Sequence, residues 1–154
     1  MTAIKTPYLL RAAGFISFLL ALFQAVISFS PSWSLYFGAP PELTDNPLML
    51  IISGMIVSVV FIIFGLYGLS GSGDIRTLPY LRPVLIIIGG IYTLRGMLII
   101  LQLLIILNII NLDEDVTPQL IISSIVSLLI GIIYLAGTSK NQQRLKGLTI
   151  NKKN

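Results

Sequence analysis

A single arginine inside a membrane-length apolar run constrains this chain most. The run extends from Pro83 to Ile110, and Arg95 is the only charged residue in it beyond its first few positions. Arg82 lies thirteen residues before Arg95 and Asn111 sixteen after it. At ~1.5 Å per residue of helix, those flanks are roughly 20 and 24 Å away, which predicts a guanidinium near the bilayer midplane. A central arginine costs ~2.5–3.5 kcal/mol on translocon scales. Losing its proton is no escape, because guanidinium stays charged. No Asp or Glu lies inside any apolar run, so the sequence offers no counter-ion.

Three further runs accompany this one: Leu9–Phe29, Leu48–Leu69 and Gln119–Gly137. Each approaches or exceeds the ~20 residues that a spanning helix needs. The chain has 154 residues, 55% of them hydrophobic and 10% charged. A soluble domain carries about 25% charged residues, so a single water-soluble core could not hide this much apolar surface. The expectation is all-α: one integral membrane domain over residues 1–154, built as a four-helix transmembrane bundle. Its helices are expected at about 9–29, 48–69, 83–110 and 119–137, with a basic tail at 138–154. The third run is long enough to tilt or protrude. Pro47, Pro83 and Pro118 stand at or just before the last three starts, where a missing N–H is harmless. The first run exceeds a usual signal-peptide core and no small-residue cleavage site follows it, so it reads as a retained helix.

Orientation follows from Lys and Arg. Lys5 and Arg11 flank the first run, Arg76 and Arg82 lie in the second loop, and Lys140, Arg144, Lys146, Lys152 and Lys153 fill the tail. The first loop carries Glu42 and Asp45, the third Asp113, Glu114 and Asp115, and neither has a basic residue. Both termini are therefore expected in the cytoplasm. The net charge of +4 reads as this topology signal and not as nucleic-acid binding. In general character the chain resembles small four-helix proteins of bacterial inner membranes, which sets the expected location. No motif in it carries a named family's activity.

The chain has no Cys and no His. Thiol redox chemistry, Cys/His metal sites and histidine base catalysis are excluded. Phosphate loops and dinucleotide fingerprints are missing. Ser123, Ser124 and Ser127 have no base beside them in sequence, so no catalytic residue is expected, and neither cofactor nor metal.

Small residues recur four apart at Ala13, Ser17, Ala21 and Ala25, and at Ser123, Ser127 and Gly131. Gly54 and Ser58 share that spacing, and Gly89 and Gly96 lie seven apart. Helices in lipid associate through such close packing, so these stripes predict seams. A shift of 71 residues places Arg11 on Arg82, Gln24 on Arg95, Pro47 on Pro118 and Ser53 on Ser124. It suggests two tandem hairpins related by a pseudo-two-fold axis along the membrane normal, or else two ordinary hairpins.

Tyr92, Arg95 and Gln102 share a face at helical spacing. Gln24 lies at similar depth on the first helix, with Ser28 one turn further. These five residues form the candidate site. Polar groups can hydrogen-bond a guanidinium but cannot neutralise it. Three roles stand open: a structural tie to Gln24, Tyr92 and backbone carbonyls; a wet or anion-binding cavity; or a meeting point for a carboxylate of another membrane protein. The matching functions are a polar pocket that binds or passes an anionic small molecule or lipid headgroup, and an accessory subunit that docks a partner helix or a second copy. Membrane lipids are partners in either case. The aromatic first loop, with Trp33, Tyr36 and Phe37, suits an interfacial anchor or a lid over an outward-facing pocket. Glu42 or Asp45 could reach inward only if that loop re-enters the membrane.

Overall fold

A computed structural model describes residues 7–107, 109 and 118–140. Among these residues the secondary structure is entirely helical. The helices are α1 (Pro7–Ile27), α2 (Pro31–Tyr36), α3 (Pro41–Thr44), α4 (Pro47–Ser72), α5 (Leu81–Gly96), α6 (Leu98–Ile106) and α7 (Pro118–Lys140). Four stretches are long and apolar enough to cross a membrane: Tyr8–Ile27, Pro47–Ser72, Leu81–Ile106 and Pro118–Lys140. The architecture is that of a multi-pass membrane protein. Large apolar side chains such as Leu19, Ile56, Leu94 and Ile122 point outward, as helices facing hydrocarbon require. The acidic run at 113–115 and the tail from 141 lie outside the described residues, as does Lys5.

Local sequence explains the helix ends. Proline opens α1, α2, α3, α4 and α7. Asn46 caps α4 by accepting from the Met49 N–H at 3.3 Å, which satisfies an otherwise orphaned donor. Gly73 ends α4 in the left-handed region at φ 86°, and its N–H and that of Asp74 bond back to Leu69. That is the Schellman arrangement, which favours glycine because no Cβ meets the carbonyl. Asp74 then pairs with Arg11 of α1, with Arg11 Nε donating at 2.7 Å. Ser70 accepts from the Leu78 N–H at 2.9 Å. The α4–α5 turn is thus tied to the start of α1.

The third span is not one uninterrupted helix. It tightens at Met97, where the Ile100 N–H reaches back only three residues, to the Met97 carbonyl at 3.0 Å. A three-residue turn changes the rotation per residue, so faces read across it lose their phase.

Two tight seams build the bundle. α1 lies antiparallel on α4, and α5 on α7. Gly14 and Gly68 bring α1 and α4 together so closely that a Cβ on Gly68 would stand 2.7 Å from Gly14 Cα. On the other seam a Cβ on Gly96 would stand 2.5 Å from Leu128 backbone. The remaining seams, α1 with α7 and α4 with α5, are looser.

The core is not central along the bundle. Leu10, Ala13, Leu81, Leu85, Ile88, Tyr92, Ile130 and Tyr134 form it. All but Tyr92 and Ile130 belong to the half near the Gly73 turn. There Leu10 fills the space left by Gly71 and Gly137. Tyr134 closes the core by donating to the Phe64 carbonyl at 2.9 Å. Ser17 lies 3.0 Å from the Tyr134 hydroxyl and 3.4 Å from that of Tyr92. The Phe61, Tyr92 and Tyr134 rings stack in a column, with centroids 6.1 and 5.9 Å apart. Beyond this aromatic floor, toward the 28–46 loop, α1 stays on α4 and α5 on α7, and space opens between the two pairs.

Candidate functional site

The splayed end is roofed by the first loop. Ser34 of α2 donates to the Ile27 carbonyl at 2.8 Å, so α2 caps the last turn of α1. Phe37 packs edge-on against Phe23 of α1, with centroids 4.9 Å apart. Gly38, at φ 90°, approaches α7 so closely that a Cβ would meet Leu120 at 2.8 Å. Trp33 stacks on Phe37 from outside at 6.3 Å. Ser34 and apolar residues of this loop turn inward. Glu42 and Asp45 are exposed and line neither cavity described below, so the loop delivers no carboxylate to the interior.

Under this roof lie two cavities, one against the roofed end of the α1–α4 pair and one in the loose α1–α7 seam. The first, about 240 Å³, is walled by Ile27 of α1 and Ser28 just past it, by Leu50, Ser53 and Val57 of α4, and by Ser34, Pro40 and Leu43 of the roof. The second, about 440 Å³, opens between α1 and α7; Leu20 and Phe23 form one side and Ile122, Ser123 and Val126 the other. Phe61 and Tyr92 floor it, and Gln119 lies near its rim. The larger volume lies within the ~300–1,000 Å³ of small-molecule sites.

Arg95 and Gln24 line both cavities. The Arg95 side chain is exposed and makes no hydrogen bond or ion pair among the described residues. A guanidinium carries five donors, and none of them is taken up among the described residues. The purely structural tie to Gln24, Tyr92 or a free carbonyl therefore finds no bond to rest on.

The five residues singled out from sequence separate as follows. Arg95 and Gln24 meet at the junction. Ser28 lines the first cavity, but its hydroxyl is already given to the Gln24 carbonyl at 2.6 Å and packs in the space left by Gly54. Tyr92 floors the second cavity, while its hydroxyl turns to Ser17 in the core. Gln102 lines neither cavity, because the tightened turn at Met97 breaks the phase on which its seven-residue spacing from Arg95 relied. Its side-chain oxygen is buried without a donor among the described residues.

Along its own span, Leu81–Ile106, Arg95 lies near the middle. It lies beside Gln24, three residues from the end of α1, and just beyond the Tyr92 floor. Measured along α1 it sits near the roofed end and not midway. α6 continues for nine residues past the Met97 turn, so the second hairpin extends further at this end than α1 does.

Sequence reasoning named Phe37 as part of a possible lid and Ser53 only as a repeat position, and it did not single out Gln119 or Leu43. Gln119 has a buried side-chain oxygen without a donor among the described residues, and the residue lines the larger cavity. Its position as the second residue of α7 gave no signal of depth. Ser123 and Ser127 stand on the cavity wall, while Gly131 of the same stripe packs against Thr93 of α5. The stripe thus serves as seam at one end and as wall at the other. No family model, curated protein or solved structure matches the chain.

Proposed function

We propose that this chain is a non-enzymatic membrane protein whose roofed cavity binds, or passes, a single anionic group held by Arg95. One observation carries the reading: a guanidinium at the junction of two cavities, with no carboxylate and no hydrogen-bond acceptor engaged among the described residues. An unpaired charge between apolar helices is costly, and an anionic occupant would offset that cost with charge-assisted bonds. Gln24 supplies a neutral polar neighbour. The reading puts both termini in the cytoplasm and the Trp33 roof on the far side, in keeping with the basic flanks. It makes the roof a cover over an outward-facing site.

The arrangement of seams is compatible with tandem hairpins. α1 and α5 lie diagonally opposite, as do α4 and α7, so each hairpin offers one tight and one loose seam. The 71-residue shift does not superpose the close glycines, since Gly14 falls on Leu85 and Gly68 on Ser139. Gln24 and Arg95 at a shared junction favour the repeat; the glycines do not.

The competing role, docking of a partner helix through Arg95, is less favoured. Arg95 is exposed, but it lines both cavities together with Gln24 instead of standing on a helix face away from them.

Thermal melts of purified protein in an uncharged detergent test the proposal, with and without glycerol phosphate or phosphatidylglycerol. At least one of these should raise the wild-type melt. Arg95→Lys should keep part of the rise, since it retains charge but not the planar fork. Arg95→Leu should lose it and melt no lower than wild type without anions, because no bond is broken. Equal shifts in wild type and Arg95→Leu would overturn the proposal.

A further inference from the structure

We infer that the anionic group is the headgroup of a membrane lipid, a phosphodiester bearing free hydroxyls, which reaches Arg95 sideways between α1 and α7. The inference rests on the anion-binding reading and adds to it the carrier and the route.

The larger cavity is not shaped for a free ion. It opens through the loose α1–α7 seam, where the two helices meet lower down, through Leu10 at Gly137 and Ser17 at Tyr134. Its flanks are apolar and part-exposed: Phe23 at 42%, Ile122 at 61% and Val126 at 38%. These same side chains belong to faces that meet hydrocarbon. An acyl chain can lie in this opening without leaving an apolar environment, while its headgroup meets Arg95 behind them. A small hydrated anion would gain nothing from such walls and would have to shed its water beside them.

Gln119 supplies the second, independent requirement. Its side-chain oxygen is buried and undonated among the described residues, and the residue lines the same cavity as Arg95. A carbonyl oxygen accepts and cannot donate. An occupant consisting only of anionic oxygens would leave it unsatisfied. An occupant with a hydroxyl beside its anion completes both, as a glycerol phosphodiester does. Tyr36 and Phe37 of the roof close over the headgroup end. The first cavity, reached past Arg95 and Gln24, would hold the water that solvates the head.

Native mass spectrometry of the full chain in uncharged detergent tests this, with four probes: phosphatidylglycerol, phosphatidylmethanol (equal charge, no free hydroxyl), phosphatidylcholine and free glycerol phosphate. Wild type should retain phosphatidylglycerol about tenfold better than phosphatidylmethanol, and retain the other two poorly. Val126→Trp fills the opening from the lipid-facing side. It should cut phosphatidylglycerol retention about tenfold while melting like wild type in lipid-free detergent. Gln119→Leu should abolish the preference over phosphatidylmethanol and leave retention of the latter unchanged. Ile122→Trp repeats the blocking test should Val126→Trp fail to fold. Glycerol phosphate bound as well as the lipid, in an Arg95-dependent way and indifferent to Val126→Trp, would overturn the lipid inference and leave the anion site standing. Equal retention of phosphatidylglycerol and phosphatidylmethanol by wild type would overturn the hydroxyl contact. Loss of every dependence on Arg95 would overturn both readings.

Discussion

Replacing Gly131 and Gly90 by alanine, one at a time, separates the geometry of the α5–α7 seam from the general effect of removing glycine. A Cβ on Gly131 would stand 2.4 Å from Thr93 Oγ1, 2.6 Å from the Thr93 nitrogen and 3.0 Å from the Gly89 carbonyl oxygen. Two of these atoms are backbone and cannot rotate aside. The third, Thr93 Oγ1, is held by its bond to the Gly89 carbonyl at 2.7 Å. Ordinary contacts lie at ~3.5–4.0 Å, so the two helices must part by about 1 Å. Overpacking of this kind costs ~1–3 kcal/mol. Alanine also gains ~1 kcal/mol of helix propensity over glycine. At Gly90, where nothing lies within 4 Å, only the gain applies. Gly90→Ala should therefore be neutral or stabilising. Gly131→Ala should fall below it by ~1–3 kcal/mol, and Gly131→Leu should break the seam. At ~2–4 °C per kcal/mol for a chain of this size, the two alanine variants should melt roughly 2–12 °C apart. Circular dichroism melts in one detergent measure this directly. Coincident melts would refute the close approach of α5 and α7.

Tyr134→Phe removes the hydroxyl that bridges Ser17 and the Phe64 carbonyl, and should cost ~0.5–1.5 kcal/mol in the same melt, since the ring stack survives. Gly38→Ala forces a Cβ onto a φ of 90° and against Leu120, which should lift the roof. The emission of Trp33, the only tryptophan, should shift, and Arg95-dependent anion binding should weaken. For topology, single cysteines at Ser32 and Ile75 suit this cysteine-free chain, since both sites are exposed. Ser34 is unsuited, being buried and bonded to α1. An impermeant thiol reagent on intact cells should label Ser32→Cys only; labelling of Ile75→Cys alone would reverse the orientation.

The spans were legible because their signal is local. Each apolar run carries its own helix, and proline at Pro47 and Pro118 marks the start within one residue. Small-residue spacing located much of the packing: Ala13, Ser17, Ala21, Ser58, Gly89 and Gly96 are all buried. It missed Gly14, Gly65 and Gly68, where the backbones of α1 and α4 meet. Glycines in a run full of small residues give no sign of which partner they will meet. The Arg11–Asp74 pair was equally hidden, because sixty-three residues separate its members.

What the sequence determined by itself is the class of molecule: four apolar helices, a charge asymmetry between their ends, and one arginine that no residue in its own segment can neutralise. These follow from composition and spacing along single segments, where hydrophobicity and helical rise decide the outcome. The tertiary structure decided where the arginine opens. Two seams close on glycine and space opens between the pairs above an aromatic floor, so Arg95 faces space and not a partner. A tightened turn at Met97 removes Gln102 from that space, and a distant helix start brings in Gln119. Such placements depend on how helices far apart in sequence fit against one another, and steric fit between surfaces is not written in the periodicity of either one.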